Sequence, residues 1–208
     1  MRRIGLAVAV VIVGGALAVG AAVASAQEPG VSRVAPFEHL GAPRITLPDD
    51  VGEGPMRELC PDGTEMCQRY WDYTGFFVRN ATIPTRDREI LILRTAWLSR
   101  GDYIWGRHDV IGQEAGLTPE EIRRVTAGAD VAGWGDFDRT LLRAADELHA
   151  SRFVSHPTWA ALAERYTEHQ LVEVVLIVGN YTQLAMFQNS LGAQLPPGFD
   201  GLPAEGGH

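Results

Sequence analysis

The chain of 208 residues has no lysine, so all 18 of its basic residues are arginine. Without a side-chain amine, Schiff-base catalysis is excluded. Cysteine is almost as scarce, with only Cys60 and Cys67 in the stretch CPDGTEMC. Their spacing is not C-x-x-C, and nothing beside them would depress a thiol pKa. No G-x-S-x-G nucleophile elbow occurs. His39, His149, His156 and His169 lack metal-ligand spacing and suit surface or capping roles. No metal site is expected. Positive charge is also short, since 26 acidic residues leave a net charge of −8. Such a chain repels phosphate backbones, and no nucleic-acid partner is expected. Nowhere does a run of residues alternate in the strand pattern between turns.

What is present begins with a leader. Met1-Arg2-Arg3 is basic, Ile4 to Val23 is apolar, and Ala24-Ser25-Ala26 is a small-residue cleavage pattern. Residues 1–26 therefore read as a signal peptide of a secreted or extracytoplasmic protein. The run is long enough that an uncleaved membrane anchor over residues 4–23 stays open. The mature chain would carry 16 arginines against 26 acids. Residues 27–65 form an extended proline-rich segment that cannot build a core alone. In an oxidising compartment Cys60 and Cys67 are expected to close a small structural disulfide loop, with a redox-active pair as the weaker alternative.

From residue 66 onward helical periodicity takes over. Tyr70, Trp71, Tyr73 and Phe77 fit an amphipathic helix over 66–79, whose aromatic stripe reads as core. Ile90 to Leu93 with Ala96, Trp97 and Leu98 predict a buried helix over 86–100, capped by Thr85. A second helix is expected from Asp102, as N-cap, to Gly116. Thr118-Pro119-Glu120-Glu121 and Thr167-Glu168-His169-Gln170 are capping boxes that open further helices. Others are expected over 136–151 and from Ser155 to Tyr166. The last runs over 168–191 and stops at Gly192, before a flexible tail over 193–208. The fold class is all-α.

Two polar residues stand out in this frame. Glu89 is in helical register with Leu93 and Ala96, and His108 with Ile104, Ile111 and Ala115. An acid and an imidazole thus point from adjacent helices into apolar surroundings, where neither is tolerated without a partner.

The stretch EILILRTAWLSRGDYIWGRHDVIGQEAGLTPEEI resembles the core motif of the carboxymuconolactone decarboxylase family. The segments from LLRAADELHASRF to FQNSLGA resemble the second half of many members. The resemblance covers roughly residues 66–192 and implies the all-α, alkylhydroperoxidase D-like helical fold and a homo-oligomer, a trimer or hexamer. The peroxidase branch of that fold carries an acid, a C-x-x-C pair and a histidine four residues after the second cysteine. On this chain those positions are Glu89, Gly101, Ile104 and His108, so both thiols are missing. Thiol-based peroxide reduction is therefore disfavoured.

The decarboxylase branch, as the resemblance implies, acts on a small unsaturated lactone acid with no cofactor. Loss of carbon dioxide leaves a dienolate that needs charge stabilisation and a proton at carbon. The expected catalytic residues are Glu89 as proton shuttle, through a raised pKa, His108 as its partner or as the enolate stabiliser, and Tyr103 as hydroxyl donor. Trp105, Tyr181 and Asn180 are the expected substrate-binding residues. The alternative is structural. Glu89 would pair with Arg86, Arg94 or His108 as a buried clasp, Tyr103 and Trp105 would be packing, and Asn180 would bond across an interface. Three functions stay open: a cofactor-free lyase, decarboxylase or isomerase; a peroxidase-type oxidoreductase; and a non-catalytic exported oligomer.

Overall fold

In the computed structural model, residues 37–44 and 65–204 are described. Among them run seven helices: α1 Glu65–Arg79, α2 Thr85–Leu98, α3 Asp102–Glu114, α4 Pro119–Val125, α5 Asp136–Ser151, α6 His156–Ala163 and α7 Glu168–Leu191. No strand occurs among the described residues. The leader over 1–26, its anchor alternative, Cys60 and most of the 27–65 segment lie outside them. Cys67 is buried on α1 and carries no free thiol.

Everything in the helical body is arranged around α2. Every residue from Asp87 to Ala96 is buried, and α3, α4, α5 and α7 all pack on this one helix. Four branched or leucine side chains in succession, Ile90 to Leu93, leave α2 no polar face to offer water. Its charged residues are held inside by partners. Arg94 donates to Asp146 (2.6 Å) and to the carbonyls of Val125 and Thr126 (both 2.8 Å), while Asp87 accepts from the Tyr166 hydroxyl (2.7 Å).

Several helix ends differ from the sequence expectation. Pro84, not Thr85, is the N-cap of α2 and makes no side-chain cap. The helix stops at Leu98 because Arg100 turns left-handed (φ 53°) and Gly101 N–H closes on Ala96 O (2.8 Å). Gly101 rather than Asp102 caps α3. The Asp102 carboxylate is engaged elsewhere, accepting from Leu202 N–H (2.8 Å). α6 ends at Ala163, three residues early, because Arg165 and Tyr166 N–H both fold back on Leu162 O and Tyr166 dips to Asp87. Both capping boxes form as expected.

α7 is long and apolar enough to cross a bilayer, but half of its most apolar stretch is buried in the fold. Glu173, Asn180 and Gln188 on its inner face are buried as well, which marks a core helix. Gly192 ends it in the left-handed region (φ 78°), and a Cβ there would sit 2.6 Å from Ala42 O. The segment read as a flexible tail then runs along α3. Leu195 and Asp200 O press on Gly106 closely enough to exclude a Cβ, and Phe199 lies under the Arg107 guanidinium (4.8 Å).

Candidate active site

The turn between α2 and α3 brings two inward-facing polar side chains together. Glu89, on the second turn of α2, is 0% exposed, and His108, in the middle of α3, is 7% exposed. Glu89 Oε2 lies 2.6 Å from His108 Nδ1. The other oxygen, Oε1, accepts from Arg88 Nε and Nη2, both at 2.9 Å. Arg88 is itself buried, and its Nη1 donates to the carbonyls of Phe77 (3.2 Å) and Val78 (2.9 Å). Those carbonyls belong to the last turn of α1, where helix geometry leaves acceptors unpaired. The guanidinium thus ties the end of α1 to the acid. From the α7 side, Tyr181 sets its ring edge-on to His108, with centroids 5.0 Å apart and planes at 89°.

The electrostatics reverse one expectation. Burial alone would push the Glu89 carboxyl up, but the His108 and Arg88 charges and hydrogen bonds together outweigh it. Glu89 is held below the ordinary glutamate range, not raised above it. An ionised carboxylate has no proton to give, so the short contact places the shared proton on His108 Nδ1. Nε2 is then the nitrogen left to exchange a proton. Burial, and after it the nearby Glu89 charge, pushes the Tyr181 phenol far up, so that hydroxyl stays protonated.

The other expected site residues are placed as follows. Tyr103 and Trp105 are buried on α3. At 100° per residue Tyr103 is about 140° around the helix from His108, on a different face. Trp105 packs edge-on against Trp97 (6.1 Å). Asn180 is buried on α7, where its Oδ1 accepts from Thr74 Oγ1 of α1 (3.1 Å). So the fold joins Glu89, His108 and Tyr181 by direct contacts, while Trp105, three residues before His108, lies on the same side of α3 as the histidine. Of the partners expected for Glu89 in a buried clasp, His108 is bonded to it and the two arginines are engaged elsewhere. Arg86 bonds Asp138 and Glu121, and Arg94 bonds Asp146.

Arg88 was missed because adjacent residues on a helix do not face each other. Its long side chain curls back to reach Glu89, and no sequence spacing signals that. Where the peroxidase pattern puts thiols, Gly101 lies against the side chains of Ile104 and of Ala185 on α7. Carbon fills that space. A hollow of about 410 Å³ opens beside the α2–α3 turn, among Trp97, Arg100, Asp102 and the tail residues Leu202 to Ala204. A smaller groove of about 200 Å³ lies between α1 and α7. Among the described residues no acid and histidine cluster is set to hold a metal ion.

Comparison with known proteins agrees with this architecture. Residues 61–147 match the carboxymuconolactone decarboxylase family. The alkylhydroperoxidase AhpD core of an uncharacterized peroxidase-related protein from Ralstonia eutropha JMP134 superimposes with a TM-score of 0.60 at 16% identity, covering 69% of this chain and 77% of that one. A peroxidase-related protein from Silicibacter sp. TM1040 gives 0.58 at 11% identity, over 65% and 72% of the two chains. The debrominase Bmp8, in complex with 2,3,4-tribromopyrrole, gives 0.54 at 12% identity, over 69% and 76%. No curated protein matches the sequence. At these identities the neighbours establish the fold alone. Over residues 61–147 the chain is thus similar to the carboxymuconolactone decarboxylase family, on an alkylhydroperoxidase D-like helical fold, with Gly101 and Ile104 where the resemblance puts the cysteines of the peroxidase branch.

Proposed function

We propose that the protein is a cofactor-free lyase, decarboxylase or isomerase acting on a small unsaturated lactone or carbonyl acid. The observation that carries this reading is the buried 2.6 Å contact between Glu89 and His108. Glu89, ionised and anchored by Arg88, fixes the ring and its tautomer. His108 delivers or removes the proton at carbon through Nε2, and the imidazolium stabilises the enolate that forms. Tyr181 braces the ring. This revises the division of labour expected from sequence, because a carboxyl held low is a poor proton donor near neutrality.

The thiol-dependent alternative has less support. Gly101 and Ile104 fill the peroxidase positions, and no free cysteine occurs among the described residues. An extracytoplasmic location and a trimer or hexamer belong to the same proposal, supported by the leader pattern and by the family resemblance. The test is carbon dioxide release from a carboxymuconolactone. The wild-type chain should turn over, Glu89→Gln should remain folded and lose about 10²–10⁴-fold in kcat, and His108→Gln should lose at least as much. Full activity in a folded Glu89→Gln variant, or none in the wild type with lactone and carbonyl acids alike, defeats the reading.

A further inference from the structure

The inner face of α7 is core, and its outer face is apolar too, although no described residue covers it. From the second turn onward the exposed positions are Val172, Leu176, Gly179, Gln183, Met186 and Ser190. They recur at alternating steps of four and three residues, the spacing of a seam between two helices. None of them is charged. Val172, Leu176 and Met186 are 52%, 40% and 61% exposed, and a Cβ built on Gly179 would meet nothing within 4 Å. A helix face turned to water ordinarily carries charged residues, so this one has the make-up of a covered surface.

What covers it follows from the order of the seam. Gly179 is the midpoint, with Val172 and Met186 equally far on either side and Leu176 and Gln183 between. Read in either direction, the seam gives the same order of sizes: bulky, long, none, long, bulky. An isologous contact needs that property, because one patch must fit a copy of itself. The face also holds a recess for its own most central apolar side chain. Beside Gln183 lies the groove of about 200 Å³ between α1 and α7, walled by Met66, Cys67 and Phe187. Antiparallel pairing about Gly179 carries the Leu176 of a second copy over Gln183. Helical side chains lean toward their own N-terminus, which in the antiparallel copy is the direction of Phe187 and the groove. At 100° per residue Leu176 and Phe187 are about 20° apart around α7, so the side chain and the recess lie on one side of the seam. Antiparallel packing also sets the positive N-terminal end of each helix beside the negative C-terminal end of the other. We propose that α7 pairs antiparallel with α7 of a second copy of this chain, about a twofold axis at Gly179, each Leu176 seated in the other copy's groove. The contact does not depend on the chemistry proposed for Glu89 and His108. Of the assemblies that the family resemblance implies, it admits the hexamer, which can contain such an axis, and not the trimer alone.

Introduced cysteines test the axis directly, because no free cysteine occurs among the described residues. Gly179→Cys, on the axis, should form a chain-to-chain disulfide under mild oxidation, seen as a doubled mass on a non-reducing gel. Val172→Cys should not, because its two copies would stand about 21 Å apart along the paired helices, beyond the reach of a disulfide. Mixed in equal parts with Met186→Cys, it should cross-link. Leu176→Glu should keep its helical circular dichroism and weaken self-association by about 30-fold or more, the effect of losing a central anchor, read as a fall in sedimentation mass. A wild-type mass of one or three chains overturns the proposal. So does a folded Gly179→Cys protein that stays unlinked, a Val172→Cys protein that links to itself, which would mean parallel pairing, or a Leu176→Glu mass equal to that of the wild type. None of these readouts uses turnover, so the failure of this contact and the failure of the lyase reading are told apart.

Discussion

Two buried glutamates separate what this fold needs from what its chemistry needs. Glu89 on α2 and Glu173 on α7 are 0% and 2% exposed. Glu173 directs its oxygens at main chain, accepting from Thr82 N–H (2.9 and 2.8 Å) and Ile83 N–H (3.0 Å). It also lies 3.2 Å from His169 Nε2, on the exposed side. It fastens the link between α1 and α2 to the start of α7. Glu89 has no main-chain partner and bonds a buried imidazole and a buried guanidinium, whereas the His169 imidazole beside Glu173 is exposed. Burial forces either carboxylate to find partners. The kind of partner decides whether the result is a fastening or a proton-handling pair.

The largest expected effect comes from removing the acid that meets charge. Glu89→Ala leaves Arg88 buried without its counter-ion and should cost about 3–5 kcal/mol of unfolding free energy, read from urea titration. Glu173→Ala leaves neutral amides unpaired and should cost about 1–3 kcal/mol. The two variants should also part in kind. His108 ring nitrogen resonances should change tautomer signature in the first and keep it in the second. A Glu173→Ala protein whose His108 signals change as much as those of Glu89→Ala would erase the distinction.

The legibility of these two acids from sequence differs for a physical reason. Glu89 and His108 were visible because helical period puts each in register with core residues on consecutive helices. That reasoning placed both inside and paired them, but not the Arg88 guanidinium that holds the other carboxylate oxygen. The fastening role of Glu173 left no trace, because it rests on backbone N–H groups 90 and 91 residues away and a main-chain amide has no sequence signature. The all-helical architecture was readable from the capping boxes and from Gly192. The short ends of α2 and α6 were not, since they follow from the Arg100 turn and from Tyr166 reaching Asp87.

The smallest expected effect is the acid limb of stability. Because the folded Glu89 pKa is depressed from its ordinary value of 4.5, Glu89 contributes stability above that value. The contribution is lost as pH falls through the folded pKa. The groups facing it are His108 from α3, Arg88 from its own helix and Tyr181 from α7. Arg88 stays charged, so its attraction persists throughout this range. Glu121 and Glu147 are depressed as well: in each, hydrogen bonds, chiefly from capped backbone N–H groups, outweigh burial. The wild-type limb is therefore a composite. In the difference from the Glu89→Gln curve the Glu121 and Glu147 contributions cancel, and that difference should shrink below about pH 4.5. A difference that grows toward acid pH would mean that Glu89 is protonated in the fold. The proton would then sit on the carboxyl, and His108 would lose its place as the group that delivers it.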